Sequence, residues 1–510
     1  MTDALMTVPL TTALFMTEWP ILSLLIMLPA VAALIVPLLS GNNAVRWFTF
    51  VVMFVDFMIA SWLLIIFDNS TAQMQFMESL PWVPSLGIAY KLGIDGVSVL
   101  FVFLTALLGW VCVLASWNAI RQRLKEFMIC LLAIQSLMLG VFCALDLFLF
   151  YVFWEAMLVP MYLVIGIWGG DNRIYAAYKF FLYTLVGSLL FLVGILVLYF
   201  AGGRTFDMLT LMEVEYDFDL QLWVFVAFLI AFAVKVPMVP MHTWLPDAHV
   251  QAPTAGSIIL AGVLLKMGAY GFIRFSLPML PDASHYFAPL MLSLSAVAIV
   301  YGGFLALAQT DIKKLIAYSS VSHMGFITLG LFTFTINGTT GAVIQMFNHG
   351  ITTGALFLFV GLVYERTHSR DIPSYGGLLK IVPLYGIFFA SFLLSSMAVP
   401  GTNGFIGEIL ILAGTFGVNN WAASAAVLGA LIGAAYLLGL YRQMLLGPIR
   451  VPDGSNMWDL NKRELCCAVP LLVFIFWLGL YPKPFLSILQ PTLSHLLGQT
   501  VGAAYAGVAS

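Results

Sequence analysis

Charge is what this chain has least of. Asp, Glu, Lys and Arg make up 9% of its 510 residues, against 62% hydrophobic, whereas water-soluble chains average about 25% charged. That scarcity excludes a water-soluble globular protein. Cysteine is scarce too. Cys112, Cys130, Cys143, Cys466 and Cys467 form no CxxC pair, and they fall inside or at the edge of apolar runs. Buried structural thiols are therefore expected, and nothing supports a disulfide framework, a zinc site or an iron–sulfur cluster. There is no GxGxxG nucleotide motif. No long linker, low-complexity stretch or charged tail divides the sequence. The segment before the first apolar run carries Asp3 and Glu18 and no Lys or Arg, so the positive n-region of a cleaved signal peptide is missing.

What the chain does have is apolar runs long enough to span a bilayer. We place about fourteen, near 21–39, 46–67, 97–116, 127–144, 147–168, 176–200, 222–245, 253–275, 286–308, 313–334, 340–363, 383–413, 421–446 and 465–488. Lys and Arg fall unevenly between them. One set of alternate loops holds fifteen, from Arg46 to Arg463. The other holds Lys91, Arg204, Arg274 and Lys483. The richer set belongs in the cytoplasm, which puts both termini on the outer side. The outer connections include KLGIDGVSV, where Gly93, Asp95 and Gly96 suit a tight turn between short extended pieces, and an acidic stretch with Asp207, Glu213, Glu215, Asp217 and Asp219.

Two spans read as broken. The seventh contains Pro237, Pro240 and Pro246 beside Lys235. The twelfth contains Pro400, Gly401, Asn403, Gly404 and Gly407 before Glu408. Proline removes a backbone donor and clashes with the preceding turn, and non-helical backbone at membrane depth survives only inside protein or beside water. The breaks are five spans apart, and an odd shift reverses direction through the membrane. Spans 4–8 and 9–13 therefore read as two inverted five-helix repeats with discontinuous helices, a pattern that marks ion sites in transporters. The expected fold is an all-α polytopic membrane protein. Its parts are N-terminal flanking helices (1–126), a first repeat (127–275), a second repeat (286–446) and a C-terminal flanking helix (447–510).

Four ionisable groups stand where charge is costly. Glu155, Lys235, Lys266 and Glu408 lie within apolar spans, and an ionised group at mid-bilayer costs roughly 2.5–3.5 kcal/mol on insertion scales. Such residues are functional candidates by default. Glu155 and Lys235 are natural partners, since a nearby carboxylate restores the charge that desolvation removes from a lysine. Lys266 has no acid on its own helix. His323 and His349 can pass protons near neutrality, with Ser319, Ser320, Ser322, Thr352 and Thr353 able to hold water nearby. His242 and His249 are entry groups or merely interfacial, and Asp56 suits helix packing.

The strings KLGIDGVSV, WEAMLVPMYLVIGIWGG, KVPMVPMHTWLPDAHVQAPTAGSIILAGVLLKMGAYG, QTDIKKLIAYSSVSHMGF and FNHGITTGALFLFVG resemble the antiporter-like membrane subunits of respiratory complex I. The same fold is shared by subunits of multisubunit cation/proton antiporters and membrane-bound hydrogenases. Glu408, where other types usually carry lysine, and the absence of a long C-terminal lateral helix point to the M type, or chain 4. The resemblance implies a non-redox proton-pumping subunit of an NADH:quinone oxidoreductase in a bacterial inner membrane. It implies Glu155 and Lys235 as the input pair, Lys266 with His323 or His349 as the central relay, and Glu408 as the exit. Flavin (FMN), iron–sulfur clusters and quinone would sit in partner subunits, and this chain would hold no cofactor or metal. Its partners would be lipid and neighbouring membrane subunits, with no nucleic acid. A cation/proton antiporter subunit is the alternative.

Overall fold

The computed structural model describes residues 20–452 and 457–508. The N-terminal segment with Asp3 and Glu18 lies outside the described residues. Helices dominate, in the order α1 (Ile21–Ile35), α2 (Asn42–Ile66), a β-hairpin of β1 (Gln75–Val83) and β2 (Ile88–Ile94), α3 (Gly96–Ala115), α4 (Leu124–Cys143), α5 (Leu147–Trp168) and α6 (Arg173–Ala201). Then come α7 (Phe218–Lys235), α8 (Trp244–Gln251), α9 (Thr254–Met279), α10 (Ala288–Leu307), α11 (Ile312–Leu331), α12 (Ile336–Thr367), α13 (Pro383–Ser396) and α14 (Asn403–Phe416). The order closes with α15 (Asn420–Leu445), α16 (Lys462–Leu480) and α17 (Lys483–Val508). Among the described residues, twelve helices are long and apolar enough to cross a membrane, and the chain is a multi-pass membrane protein. The other two expected spans correspond to α11, whose serines and lysines lower its hydropathy, and to the α13–α14 pair.

Local chemistry sets the helix ends. Asp95, Asp146 and Asp311 accept hydrogen bonds from the first backbone amides of α3, α5 and α11, satisfying donors that have no partner within the helix. Asn461 and Glu464 form a reciprocal capping box at the start of α16. The helical hydrogen bonding of α5 lapses at Met157, where Pro160 leaves the Ala156 carbonyl without its i+4 donor. Both expected breaks are present. The α7 helix stops at Lys235 and α8 starts at Trp244; α13 stops at Ser396 and α14 starts at Asn403. Pro237 and Ala398 have φ of 26° and 52°, and Gly401 has φ of 93°. The first break is tied back by the Trp244 indole, which donates to the Val234 carbonyl at 2.9 Å.

Three helices form the buried axis. α3, α9 and α12 are enclosed along their whole hydrophobic length, and the rest pack around them. α9 is wound unevenly, with π-helical stretches at Leu260–Leu264 and Phe272–Ser276, a widening that occurs often at functional sites. Close approach explains the register of α9 on α12. A Cβ on Gly350 would lie 2.8 Å from the Gly262 carbonyl oxygen and 2.7 Å from a Leu104 methyl.

Three details differ from the sequence reading. Gly93, Asp95 and Gly96 are not a hairpin turn: the turn lies at Pro84–Gly87, and Asp95 ends β2 and caps α3. Arg274 is not in an outer loop but inside α9, buried, hydrogen-bonded to Asp95, Ser98 and Tyr270. The last span ends at Leu480, and a further helix, α17, packs back against the start of α3, where Thr492 accepts from the Gly96 amide at 3.2 Å. The C-terminal part therefore holds two helices rather than one. The acidic stretch is partly structural, since Asp207 pairs with Lys91 at 2.8 Å. Asp56 accepts from Gln135 at 2.8 Å between α2 and α4, the helix-packing role expected of it.

Candidate proton-transfer site

The buried axis carries the titratable groups. Lys266 lies one turn beyond the first π-stretch of α9, fully enclosed. Its ammonium reaches back to the Ala261 carbonyl, a group made available by the irregular winding. It also lies 2.6 Å from His349 Nδ1 on α12. The contact depends on the close approach of α9 to α12, because a side chain at Gly350 would collide with the Gly262 carbonyl and push the helices apart.

From His349 the line continues without interruption. The His349 and His323 ring centres are 5.6 Å apart, and His323 Nδ1 is 3.3 Å from Glu408 Oε1. Glu408 also accepts from Gln345 at 3.4 Å. All four groups come from different helices, α9, α12, α11 and α14, and all are buried. A cavity of about 10 Å³, on the order of one water molecule, is lined by His323, Gln345, Asn348, His349, Thr352 and Ser396. Gln345 Oε1, Asn348 Oδ1 and His349 Nε2 have no protein partner. Buried polar atoms are rarely left so, and polar atoms converging on a small cavity are the setting in which buried water bridges groups.

The second break places Glu408. Ser395 at the end of α13 donates to Asn403 Oδ1 at 2.5 Å and exchanges a hydrogen bond with Thr352 at 2.7 Å, while Asn348 donates to the Asn403 carbonyl at 2.6 Å. The polar face of α12 thus ties the two sides of the break together. Gly407 lets α14 lie against Gln345, whose side-chain oxygen sits 2.2 Å from where a Cβ would be.

The expected input pair is arranged differently from a direct ion pair. Lys235 ends α7, 2% exposed. Its Nζ has no hydrogen-bond partner, nor does Glu155 Oε1. The two charges act on each other, but Nζ lies over the Trp154 ring, 4.6 Å from its centre. Ser188 on α6 accepts from the Trp154 indole at 3.1 Å and donates to the Thr184 carbonyl at 2.8 Å. The α7 helix touches α9 closely, since a Cβ on Gly268 would be 2.9 Å from Lys235 Cβ. No hydrogen bond joins Lys235 to Glu155 or to Lys266, and His349 meets His323 through a ring contact.

His249 and Lys313 form a second approach that the sequence left open. His249 is completely buried on α8, stacked on Phe357 at 4.5 Å, with neither ring nitrogen bonded. It feels both Lys313 and Lys266 electrostatically, and His349 feels it. Lys313 is buried and donates to the Ala252 carbonyl at 2.6 Å. Position in the charge-rich loops disguised Lys313 as a surface residue. His242 stands apart on the first break, edge-on to Tyr301 at 5.8 Å. Trp154, Ser188, Gln345, Asn348 and Asn403 were missed, because polar or aromatic residues scattered on apolar helices have no spacing signature.

Comparison with known proteins places the chain in a family. The family described as NADH:quinone oxidoreductase/Mrp antiporter, transmembrane, matches residues 144–433. The chain is 45% identical to NADH-quinone oxidoreductase subunit M of Rhodobacter capsulatus over 496 residues, covering 94% of this chain and 96% of that one. It is 46% identical to NADH-ubiquinone oxidoreductase chain 4 of Arabidopsis thaliana over 480 residues, covering 93% and 97%. Among solved structures, respiratory complex I from Thermus thermophilus with bound NADH contains a chain that matches with a TM-score of 0.87 at 32% identity, covering 94% and 99%. The Mrp complex from Dietzia contains one with a TM-score of 0.83 at 20% identity, covering 93% and 97%, a likeness of fold alone. This chain belongs to the M-type, or chain 4, antiporter-like membrane subunits of respiratory complex I.

Proposed function

We propose that this chain carries protons across the membrane as a non-redox subunit of a proton-translocating NADH:quinone oxidoreductase. The observation that supports this most is the continuous buried series Lys266, His349, His323, Glu408, each group within hydrogen-bond or ring-contact reach of the next. Spans α4 to α9 and α10 to α15 form the two inverted repeats in this reading, each with one broken helix, and the fourteen crossings leave both termini on the outer side of a bacterial inner membrane. Glu155 and Lys235 receive the drive from a neighbouring subunit. Lys313 and His249 load the central lysine from the cytoplasmic end, and Glu408 releases outward.

Moving one charge against 100 mV costs about 2.3 kcal/mol. The drive comes from flavin, iron–sulfur and quinone chemistry in partner subunits. A change of charge at Glu155 alters the proton affinity of Lys235, and repulsion between successive cations passes that change along the line.

Lys235→Ala tests the reading. The complex should assemble while NADH-driven proton uptake into proteoliposomes falls at least tenfold. Wild-type pumping would overturn it. The family also includes cation/proton antiporters, so sodium-22 flux measured in the same vesicles distinguishes the two activities. Sodium transport without proton pumping would favour the second.

A further inference from the structure

Of the six described contacts between a cation and an aromatic face, five also give the cation a hydrogen-bond partner. Arg46 donates to Ile120, Lys179 to Asp247, Arg274 to Asp95, Arg366 to Glu464 and Arg370 to Val250. Lys235 is the exception: its ammonium has the Trp154 ring and no hydrogen-bond partner. Tryptophan has the strongest cation-binding face of the natural side chains, and the attraction grows when both groups are desolvated. Here both are, with Trp154 wholly buried. The indole plane is also fixed. Its N–H is held by Ser188 and its flanks by Phe150, Phe191 and Phe232 at 5.6, 5.7 and 5.9 Å.

Trp154 and Glu155 are consecutive on α5, at the point where its hydrogen bonding lapses, so they face two directions from one short stretch of backbone. We infer that the Trp154 ring is a second station for the Lys235 ammonium, which moves between the Glu155 carboxylate and the ring as Glu155 loses and regains its charge. This rests on the proton-carrying role of Lys235 proposed above. With Glu155 ionised, the ion pair is favoured. With Glu155 neutral, a cation leaving it would otherwise stand alone in an apolar site, and the ring keeps it protonated until the next group accepts. Trp154 is then a positioning residue that prevents the lysine from giving up its proton too early.

Several charged groups lie on the elements around Lys235: Glu155 and Tyr151 on α5, Lys179 on α6, Lys266 and Arg274 on α9. Glu155 is the one whose charge acts on it. Weakening the ring should therefore appear as a change in the pH dependence of pumping. The test uses the intact complex in liposomes, with NADH-driven proton uptake followed from pH 6 to pH 9. Trp154 is replaced site-specifically by mono-, di- and trifluorotryptophan, which keep shape and N–H but drain the π face, and by Leu. Lys235→Ala is run in parallel. A less protonated lysine limits the rate first at high pH, so the alkaline limb should move to lower pH stepwise with fluorine number. In Trp154→Leu it should move by about one pH unit, the roughly tenfold change in proton affinity expected of a desolvated contact. An alkaline limb unmoved by fluorination overturns the inference, as does a loss of rate by the same factor at every pH, which marks a ring that only fills space. If Lys235→Ala pumps normally, the parent reading fails. If it is inactive while the fluorinated series is flat, only the role of Trp154 fails.

Discussion

Each buried ionisable side chain in this protein is legible by its partners. Glu408 touches His323 and Gln345, which come from two other helices. Glu408→Gln keeps the shape and removes the titration. The complex should assemble and NADH-driven pumping by this subunit should stop, lowering the proton-to-electron ratio of the whole enzyme in a vesicle assay. Glu408→Lys should retain function, because a lysine there can be loaded and emptied by the same drive. A glutamine variant that pumps at the normal ratio makes Glu408 structural. The sequence singled out Glu408 and both histidines because charge and imidazole stand out against apolar neighbours. Gln345 and Asn348 carry no such contrast, and only their approach to α14 reveals them.

At the scale of the helix, small residues decide where backbones meet. Gly404 is the second residue of α14, and a Cβ there would lie 2.2 Å from the Ser395 carbonyl oxygen. Backbone on the far side of a break cannot rotate away as a side chain can. Gly404→Ala should destabilise the second break by about 1–3 kcal/mol, read as an earlier thermal transition of the purified complex. Gly262→Ala meets only a Leu108 methyl at 2.3 Å, the end of a flexible side chain, and should cost less. The positions of the two breaks were readable from proline and glycine. The π-stretches of α9 were not, since Leu260–Leu264 and Phe272–Ser276 contain nothing that distinguishes them from ordinary apolar helix.

Across the whole molecule the buried core is mostly apolar, large apolar side chains such as Leu34, Ile65 and Leu480 also lie exposed on the outside, and the titratable groups gather along the buried axis. Trp223 and Trp421 are 78% and 88% exposed near the N-terminal ends of α7 and α15, and exposed tryptophan at the end of a spanning helix suits the membrane interface. At the same end the hairpin, α3, α9 and α17 converge on the buried Arg274–Asp95 pair. Its loss should be felt across all of them. Arg274→Met leaves a carboxylate uncompensated and should cost about 3–5 kcal/mol, measured as loss of assembled complex or a lowered Tm. Asp95→Asn combined with Arg274→Met should recover part of that, since the stranded charge is then gone.

Taken alone, the sequence determined the solvent, the class of fold and the identity of most titratable groups. Apolar runs, proline breaks and isolated charges are properties of short stretches, and the cost of placing charge in hydrocarbon makes each one conspicuous. Tertiary structure decided the order in which those groups touch. His349 lies between Lys266 and His323 because Gly262 and Gly350 let two helices approach; Lys235 rests on Trp154 rather than against Glu155; Arg274 and Lys313, which read as loop charges, are buried. Each of these depends on how helices distant in sequence are rotated and pressed together. That is set by packing of side chains from both partners, and no single segment carries the information.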